Sequence, residues 1–255
     1  MIIDLHGHIW NTQLDQVDEV VAQMDEVGLD RLCVLPIAPY MTNEDVATLV
    51  GRHPDRLIGF ASVVPFAQTT SIPRRDPIEE LEYAVTELGL RGVKLHPLIQ
   101  GFSLGDPGLA PVVQAAGRLG VPVLFHTGPS FGRNGRTDNG RVELIDDLAM
   151  TCPDTVIIAG HADPLGAAPY IAHKHPNVYL ETSIAWPRYC RLIPGLARDA
   201  IDIATPEKIL YGTDFSLGKQ QRVRDLNTVL AGADLTDEER TMIEHGNAER
   251  ILGLS

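Results

Sequence analysis

The sequence is poor in cysteine, in aromatic residues and in basic charge, and it contains no long apolar run. Each shortage closes off a class. The three cysteines, Cys33, Cys152 and Cys190, are an odd number without close spacing. They argue against a disulfide framework or a thiolate zinc knuckle and for a reducing compartment. With 21 Lys+Arg against 34 Asp+Glu, the formal net charge is −13. A surface built for nucleic acid or for an anionic membrane needs the opposite balance. No apolar run approaches the ~18 residues that span a bilayer. The start, Met1-Ile2-Ile3-Asp4-Leu5-His6, lacks the basic and long apolar regions of a secretory signal. The expected location is cytoplasmic, and the expected partner is a small-molecule substrate rather than nucleic acid or membrane. Self-association into a homo-oligomer is left open.

What is present is a regular alternation. Short apolar runs rich in β-branched residues occur at 2–5, 31–35, 57–63, 92–95, 121–125, 156–159, 178–181 and 208–211. They recur about every 30 residues, the size of a βα unit, and are nearly continuous in apolar residues, as strands covered on both faces are. The segments between them carry helical signals. Val17, Val20, Val21, Met24 and Val27 form one stripe, for which Thr12 is a candidate cap. Asp76-Pro77-Ile78-Glu79 and Thr236-Asp237-Glu238-Glu239 read as helix starts, and Asn247 opens a last short helix. Gly28, Gly89 and Gly120 fall where helices should stop. Eight such units, with no Gly-rich phosphate loop after the first strand, predict a (β/α)8 TIM barrel formed by residues 1–255 as a single domain.

Functional groups of such a barrel lie at the C-terminal ends of its strands. Five of the nine histidines fall there: His6 and His8 after strand one, His96 after strand four, His126 after strand five and His161 after strand six. Lys94 and Asp214 join them. His53, His173, His175 and His245 lie in or beside outer helices and read as solvated. His6 and His8, two apart on a strand, leave the same face. With His126 and Asp214 they offer a nitrogen and oxygen set with an open position, suited to zinc or another imidazole-tolerant divalent ion.

Asp214 is the expected acceptor of a proton from attacking water, and so both ligand and catalytic group. His161 either holds a second ion or stays free for acid–base or electrophilic work; the catalytic role is preferred. Lys94 pairs with Asp214 or a substrate carboxylate, or bridges two ions as a carboxylated side chain. His96 is a further candidate for second-metal or substrate contact. Asp4 points inward as support or filling. Arg133, Arg136 and Arg188 are candidate clamps for a substrate carboxylate, and Trp10 is a candidate wall for a planar substrate.

Taken together, Asp4-Leu5-His6-Gly7-His8, Gly92-Val93-Lys94-Leu95-His96-Pro97, His126-Thr127-Gly128, Gly160-His161, Tyr211-Gly212-Thr213-Asp214 and the tail from Gly246 to Leu254 resemble the amidohydrolase superfamily. They are most similar to its amidohydrolase-related group, which includes aminocarboxymuconate-semialdehyde decarboxylase. The resemblance covers nearly the whole chain. It implies a one-ion ligand set of His6, His8, His126 and Asp214, a catalytic His161, and a Lys94 of the kind that two-metal members carboxylate. One ion is favoured; two are accommodated with carboxylated Lys94. The preferred reaction is hydrolysis of an ester, lactone or amide bond in a small carboxylated substrate by metal-activated water. The alternative is non-oxidative decarboxylation of an aromatic or enoic acid. A non-catalytic ligand-binding barrel stands as a third reading.

Overall fold

The computed structural model describes residues 1–66, 75–128 and 135–254. Eight strands alternate with helices: β1 (Ile3–Gly7), β2 (Arg31–Val34), β3 (Leu57–Gly59), β4 (Val93–Leu95), β5 (Val123–His126), β6 (Ile157–Gly160), β7 (Val178–Glu181) and β8 (Ile209–Leu210). The helices are α1 (Val17–Val27), α2 (Asn43–Arg52), α3 (Pro77–Thr86), α4 (Pro97–Gln100), α5 (Ala110–Arg118), α6 (Leu144–Thr151), α7 (Ala168–Lys174), α8 (Ala185–Cys190), α9 (Leu196–Ala204), α10 (Gln220–Ala231), α11 (Asp237–Thr241) and α12 (Asn247–Leu252).

Every ladder is parallel. β1 to β3 form one run and β4 to β8 another. Two single bridges, Ala61 with Val93 and Gly7 with Phe215, join the runs at both seams. Backbone bonds back them, Ala61 N to Gly92 O at 2.7 Å on one side and Leu5 N to Tyr211 O at 2.9 Å on the other. The result is a TIM barrel.

Several strands are shorter than their apolar runs. In the run at 121–125 the strand begins only at Val123: Pro122 has no N–H to give, and contributes to the ladder only through its carbonyl, which accepts Val93 N at 2.8 Å. In the run at 57–63, Ser62 N bonds the Asn43 side chain at 2.9 Å instead of a strand.

Alternation divides the strand residues. Val93, Leu95, Val123, Phe125, Ile157 and Ala159 pack outward against the helices. Ile3, Leu5, Ile58, Leu124, Ile158 and Leu210 fill the interior, where Ala248 and Leu252 of α12 join them. Asn247 anchors α12 by donating to Pro206 O and Ile209 O, both at 2.8 Å.

The stripe on α1 is buried at Val17, Val20, Val21 and Met24. Thr12 does not cap it: residues Asn11–Gln16 form a 3-10 turn that begins after Trp10, whose N–H bonds Gln13. Asp76 and Thr236 do cap α3 and α11. His175 also departs from expectation. It is buried, and its Nε2 lies 2.6 Å from Asp146 Oδ1, so it ties the end of α7 to α6 instead of facing water.

Asp4 does not point inward. A register shift between Asp4 and Gly7 interrupts the alternation of β1, leaving Asp4 in the wall between β1 and β8. Its Oδ1 accepts His6 N at 2.9 Å and Thr213 N at 3.0 Å, and its Oδ2 accepts Thr213 Oγ1 at 2.5 Å. Burial pushes its pKa up to about 7 against these three bonds. Asp4→Ala would strand three buried donors, and an unsatisfied buried group costs roughly 1–3 kcal/mol. The expected loss is about 3 kcal/mol, read as a fall in the urea midpoint with an unchanged slope.

Among the described residues, no helix is long and apolar enough to cross a membrane. All three cysteines are free, with Cys33 and Cys152 buried and Cys190 half-buried. Burial raises all three thiols, Cys190 to about 11. A thiol reagent at pH 7 should therefore modify no more than Cys190, slowly, in the native protein, and all three after denaturation. Rapid modification of more than one native thiol would contradict this packing.

Candidate active site at the barrel mouth

The strand ends bring His6, His8, Lys94, His96, His126, His161, Glu181 and Asp214 to one end of the barrel. His8 Nε2 lies 3.3 Å from Asp214 Oδ1, and His6 Nε2 lies 3.8 Å from the same oxygen. The His161 ring is centred 4.5 Å from the His6 ring and 4.6 Å from the His126 ring. Lys94 Nζ stands 3.2 Å from His6 Nε2.

The remaining ring nitrogens are held from behind. His6 Nδ1 is 2.7 Å from Glu181 Oε2, and His8 Nδ1 is 2.8 Å from Leu35 O. The Gly128 backbone bonds the His126 ring. Each histidine therefore turns Nε2 toward the centre. His126 Nε2 is buried without any hydrogen-bond partner, although buried polar atoms are nearly always bonded. Imidazole nitrogens and a carboxylate gathered at one end of the barrel, each ring oriented through its second nitrogen, suit a divalent cation. His6, His8 and Asp214 lie close enough together to share one.

Electrostatics agree. Burial, reinforced by the Lys94 charge, holds His6 well below the usual imidazole range and His126 at about 3. Burial and the neighbouring His6 do the same for His161. These rings are neutral at pH 7 with lone pairs available. Burial opposes ionisation of Asp214, but the His8 hydrogen bond and the neighbouring imidazoles outweigh it, leaving its carboxyl below the usual range. Burial lowers Lys94 to about 8 and raises Glu181 to about 7.

Two of these residues sit in left-handed backbone conformations that side chains seldom adopt: His161 at φ 60° and Asp214 at φ 59°. Such positions cost about 1–3 kcal/mol each and persist where their surroundings over-determine them. Here the His161 N–H bonds Glu181 Oε2 at 3.1 Å. Arg222 grips both the Asp214 carbonyl and its Oδ2, the latter at 2.5 Å.

The other candidates are placed as follows. His96 stacks on His126 with centroids 3.9 Å apart. Its Nδ1 accepts Ile99 N at 3.3 Å, capping α4. Trp10 stacks on His8 at 4.9 Å and remains partly exposed at the rim. Arg188 is exposed on α8 and, with Arg191, Arg222 and Thr213, lines a cavity of about 160 Å³ behind Asp214. Arg136 is exposed and pairs with Asp138 at 3.7 Å. Arg133 lies outside the described residues.

Sequence reasoning passed over Glu181, Ser183 and Arg222. Glu181 closes a strand and was open to the same rule that found the histidines. Arg222 carries no such mark: it reaches Asp214 only because α10 folds back beside β8.

With this geometry in place, comparison with known proteins identifies the class. The amidohydrolase family model matches residues 3–254, and the chain belongs to that family of metal-dependent enzymes. A 2-amino-3-carboxymuconate-6-semialdehyde decarboxylase of Dictyostelium discoideum is 31% identical over 118 residues, covering 46% of this chain but only 31% of the relative's length. A 6-methylsalicylic acid decarboxylase of Penicillium expansum is 22% identical over 249 residues, covering 82% of this chain and 73% of the relative. Among solved structures, a 5-carboxyvanillate decarboxylase from Sphingomonas paucimobilis superposes with a TM-score of 0.72, at 17% identity and covering 100% of this chain and 99% of that one; the likeness is one of fold. These findings overturn the expectation of a hydrolase acting on an ester, lactone or amide. Both sequence relatives are named as decarboxylases, and the metal and acid–base groups that suggested hydrolysis serve carbon–carbon cleavage equally well.

Proposed function

We propose that this protein is a metal-dependent, non-oxidative decarboxylase of a small aromatic or enoic carboxylic acid. The observation that carries the proposal is the pairing of the His6, His8 and Asp214 cluster, with the bare His126 Nε2 at the same end of the barrel, with sequence likeness to two decarboxylases, one of them along most of the chain. His6, His8, His126 and Asp214 would hold one divalent ion, with zinc as the first candidate. When bound, such an ion supplies Lewis acidity toward the substrate carboxylate and a neighbouring oxygen.

The chain's own groups supply the rest. The overall change is R–COO⁻ + H⁺ → R–H + CO2. Arg222 occupies Asp214 Oδ2, so Oδ1 is the oxygen left facing the centre. Asp214 Oδ1 takes the proton of a substrate hydroxyl, which pushes electron density toward the carbon bearing the carboxylate, and then returns that proton to the carbon. The C–C bond breaks, its electron pair restores the conjugated system, CO2 leaves, and solvent replaces the hydroxyl proton. Lys94 Nζ, buried beside His6, orients the departing carboxylate. His161 accepts protons within the same space. Trp10, stacked on His8, walls the planar substrate and keeps water from the rim.

The test is a panel containing 6-methylsalicylate, 2,6-dihydroxybenzoate, 5-carboxyvanillate and an enoic acid, assayed for CO2 with added zinc or manganese and with chelator. At least one acid should release CO2 in a chelator-sensitive way. Ester, lactone or amide turnover with no CO2 from any acid would reject the proposal.

A further inference from the structure

We infer that Glu181 and Ser183 fix His161 as its Nδ1–H tautomer, so that the nitrogen His161 turns to the reaction space is a bare Nε2. The inference rests on the decarboxylase reading only for what that nitrogen goes on to do; the tautomer is a property of the folded chain.

The argument begins at Glu181, the last residue of β7, which is fully buried. Its Oε1 accepts Ser183 N at 2.5 Å and its Oε2 accepts His161 N at 3.1 Å. A backbone N–H can only donate, so both oxygens are acceptors. The same Oε2 lies 2.7 Å from His6 Nδ1 and 2.8 Å from Ser183 Oγ.

Ser183 Oγ in turn lies 2.6 Å from His161 Nδ1. A hydroxyl has one proton to place. Aimed at Glu181 Oε2, it makes a charge-assisted bond and presents a lone pair to His161 Nδ1, which must then carry the proton. Aimed at His161 Nδ1, it would set the Oγ lone pairs against a carboxylate oxygen 2.8 Å away. The first arrangement is the attractive one. The chain of donors runs from His161 Nδ1–H to Ser183 Oγ–H to Glu181 Oε2.

One carboxylate thus orients two imidazoles. Through a direct bond it leaves His6 Nε2 bare, and through Ser183 it leaves His161 Nε2 bare. It also bonds the backbone N–H of His161, the residue held at φ 60°, so ring and main chain share one anchor. Ser183 and Glu181 are positioning residues. A neutral His161 with a bare Nε2 accepts a proton or offers a lone pair to a cation; it donates a proton only after taking one.

The experiment is ¹⁵N–¹H correlation spectroscopy of protein with ¹⁵N-labelled histidine, metal-free and zinc-loaded, with His161→Gln used only to assign the His161 ring. The wild type should show Nδ1 protonated and Nε2 unprotonated at pH 7. In Ser183→Ala the Nδ1–H form should fall to a mixture of tautomers, and Ser183→Thr, which keeps the hydroxyl, should restore it. A wild-type His161 protonated on Nε2 would overturn the inference, as would a Ser183→Ala spectrum unchanged from wild type. The wild-type spectrum decides the matter even if Ser183→Ala fails to fold. Failure of the CO2 assay would leave the tautomer result standing, so the two readings fail separately.

Discussion

Asp214→Asn should lower kcat by roughly 10³-fold on whichever acid is turned over, within the 10²–10⁴ range that a positioned acid–base group contributes. The substitution is nearly isosteric. The amide oxygen can still accept from Arg222, which bonds both the carbonyl and Oδ2 of this residue, so the left-handed turn at φ 59° should survive. What is lost is a carboxylate able to take and return a proton at Oδ1. Assays with saturating cation separate this from weaker ion binding: the defect should persist when metal content is restored. Steady-state kinetics and metal analysis on the same preparation check it. A variant with kcat within tenfold of wild type would remove Asp214 from the proton path.

His126→Ala should abolish the stabilisation that a divalent cation gives the protein, beyond the loss of the Gly128 bond and the His96 stack that lowers the metal-free variant. A ligand present at 100 times its Kd stabilises by about 2.7 kcal/mol. The wild type should therefore melt several degrees higher with zinc or manganese, and the variant should not. The contrast arises because His126 Nε2 bonds nothing in the protein. Removing the ring breaks no internal hydrogen bond at Nε2 but forfeits the Gly128 bond at the other nitrogen and the stack on His96, so each protein's cation-induced shift is read against its own metal-free melting point. Differential scanning with and without cation reads both halves. An unchanged cation-induced shift in the variant would place the ion elsewhere.

Much of this architecture was legible in the sequence because a parallel barrel repeats one rule. Each strand is an apolar run, each end of a strand faces the mouth, and so His6, His8, His126 and His161 could be placed by counting. The ends of elements were harder. Pro122 shortens β5 from within an apolar run, and Trp10 with Gln13 starts a 3-10 turn where Thr12 looked like a cap. Asp4 was misplaced because a register shift in β1 breaks the alternation that periodicity assumes. Arg222 and the Ser183 bridge depend on side chains meeting across separate elements, which no local pattern encodes. The reaction was not legible from the site residues, because imidazole and carboxylate groups of this kind serve both hydrolysis and decarboxylation; the likeness to two decarboxylases is what favours the second.

The most direct test of the central claim is a mass balance in ¹⁸O-labelled water, using the acid consumed fastest by the metal-loaded protein. One CO2 should be evolved for each acid consumed, and the organic product should carry a new hydrogen where the carboxylate was, without solvent oxygen. A product that retains its carboxylate and has gained one ¹⁸O, with no CO2 evolved, would contradict the account.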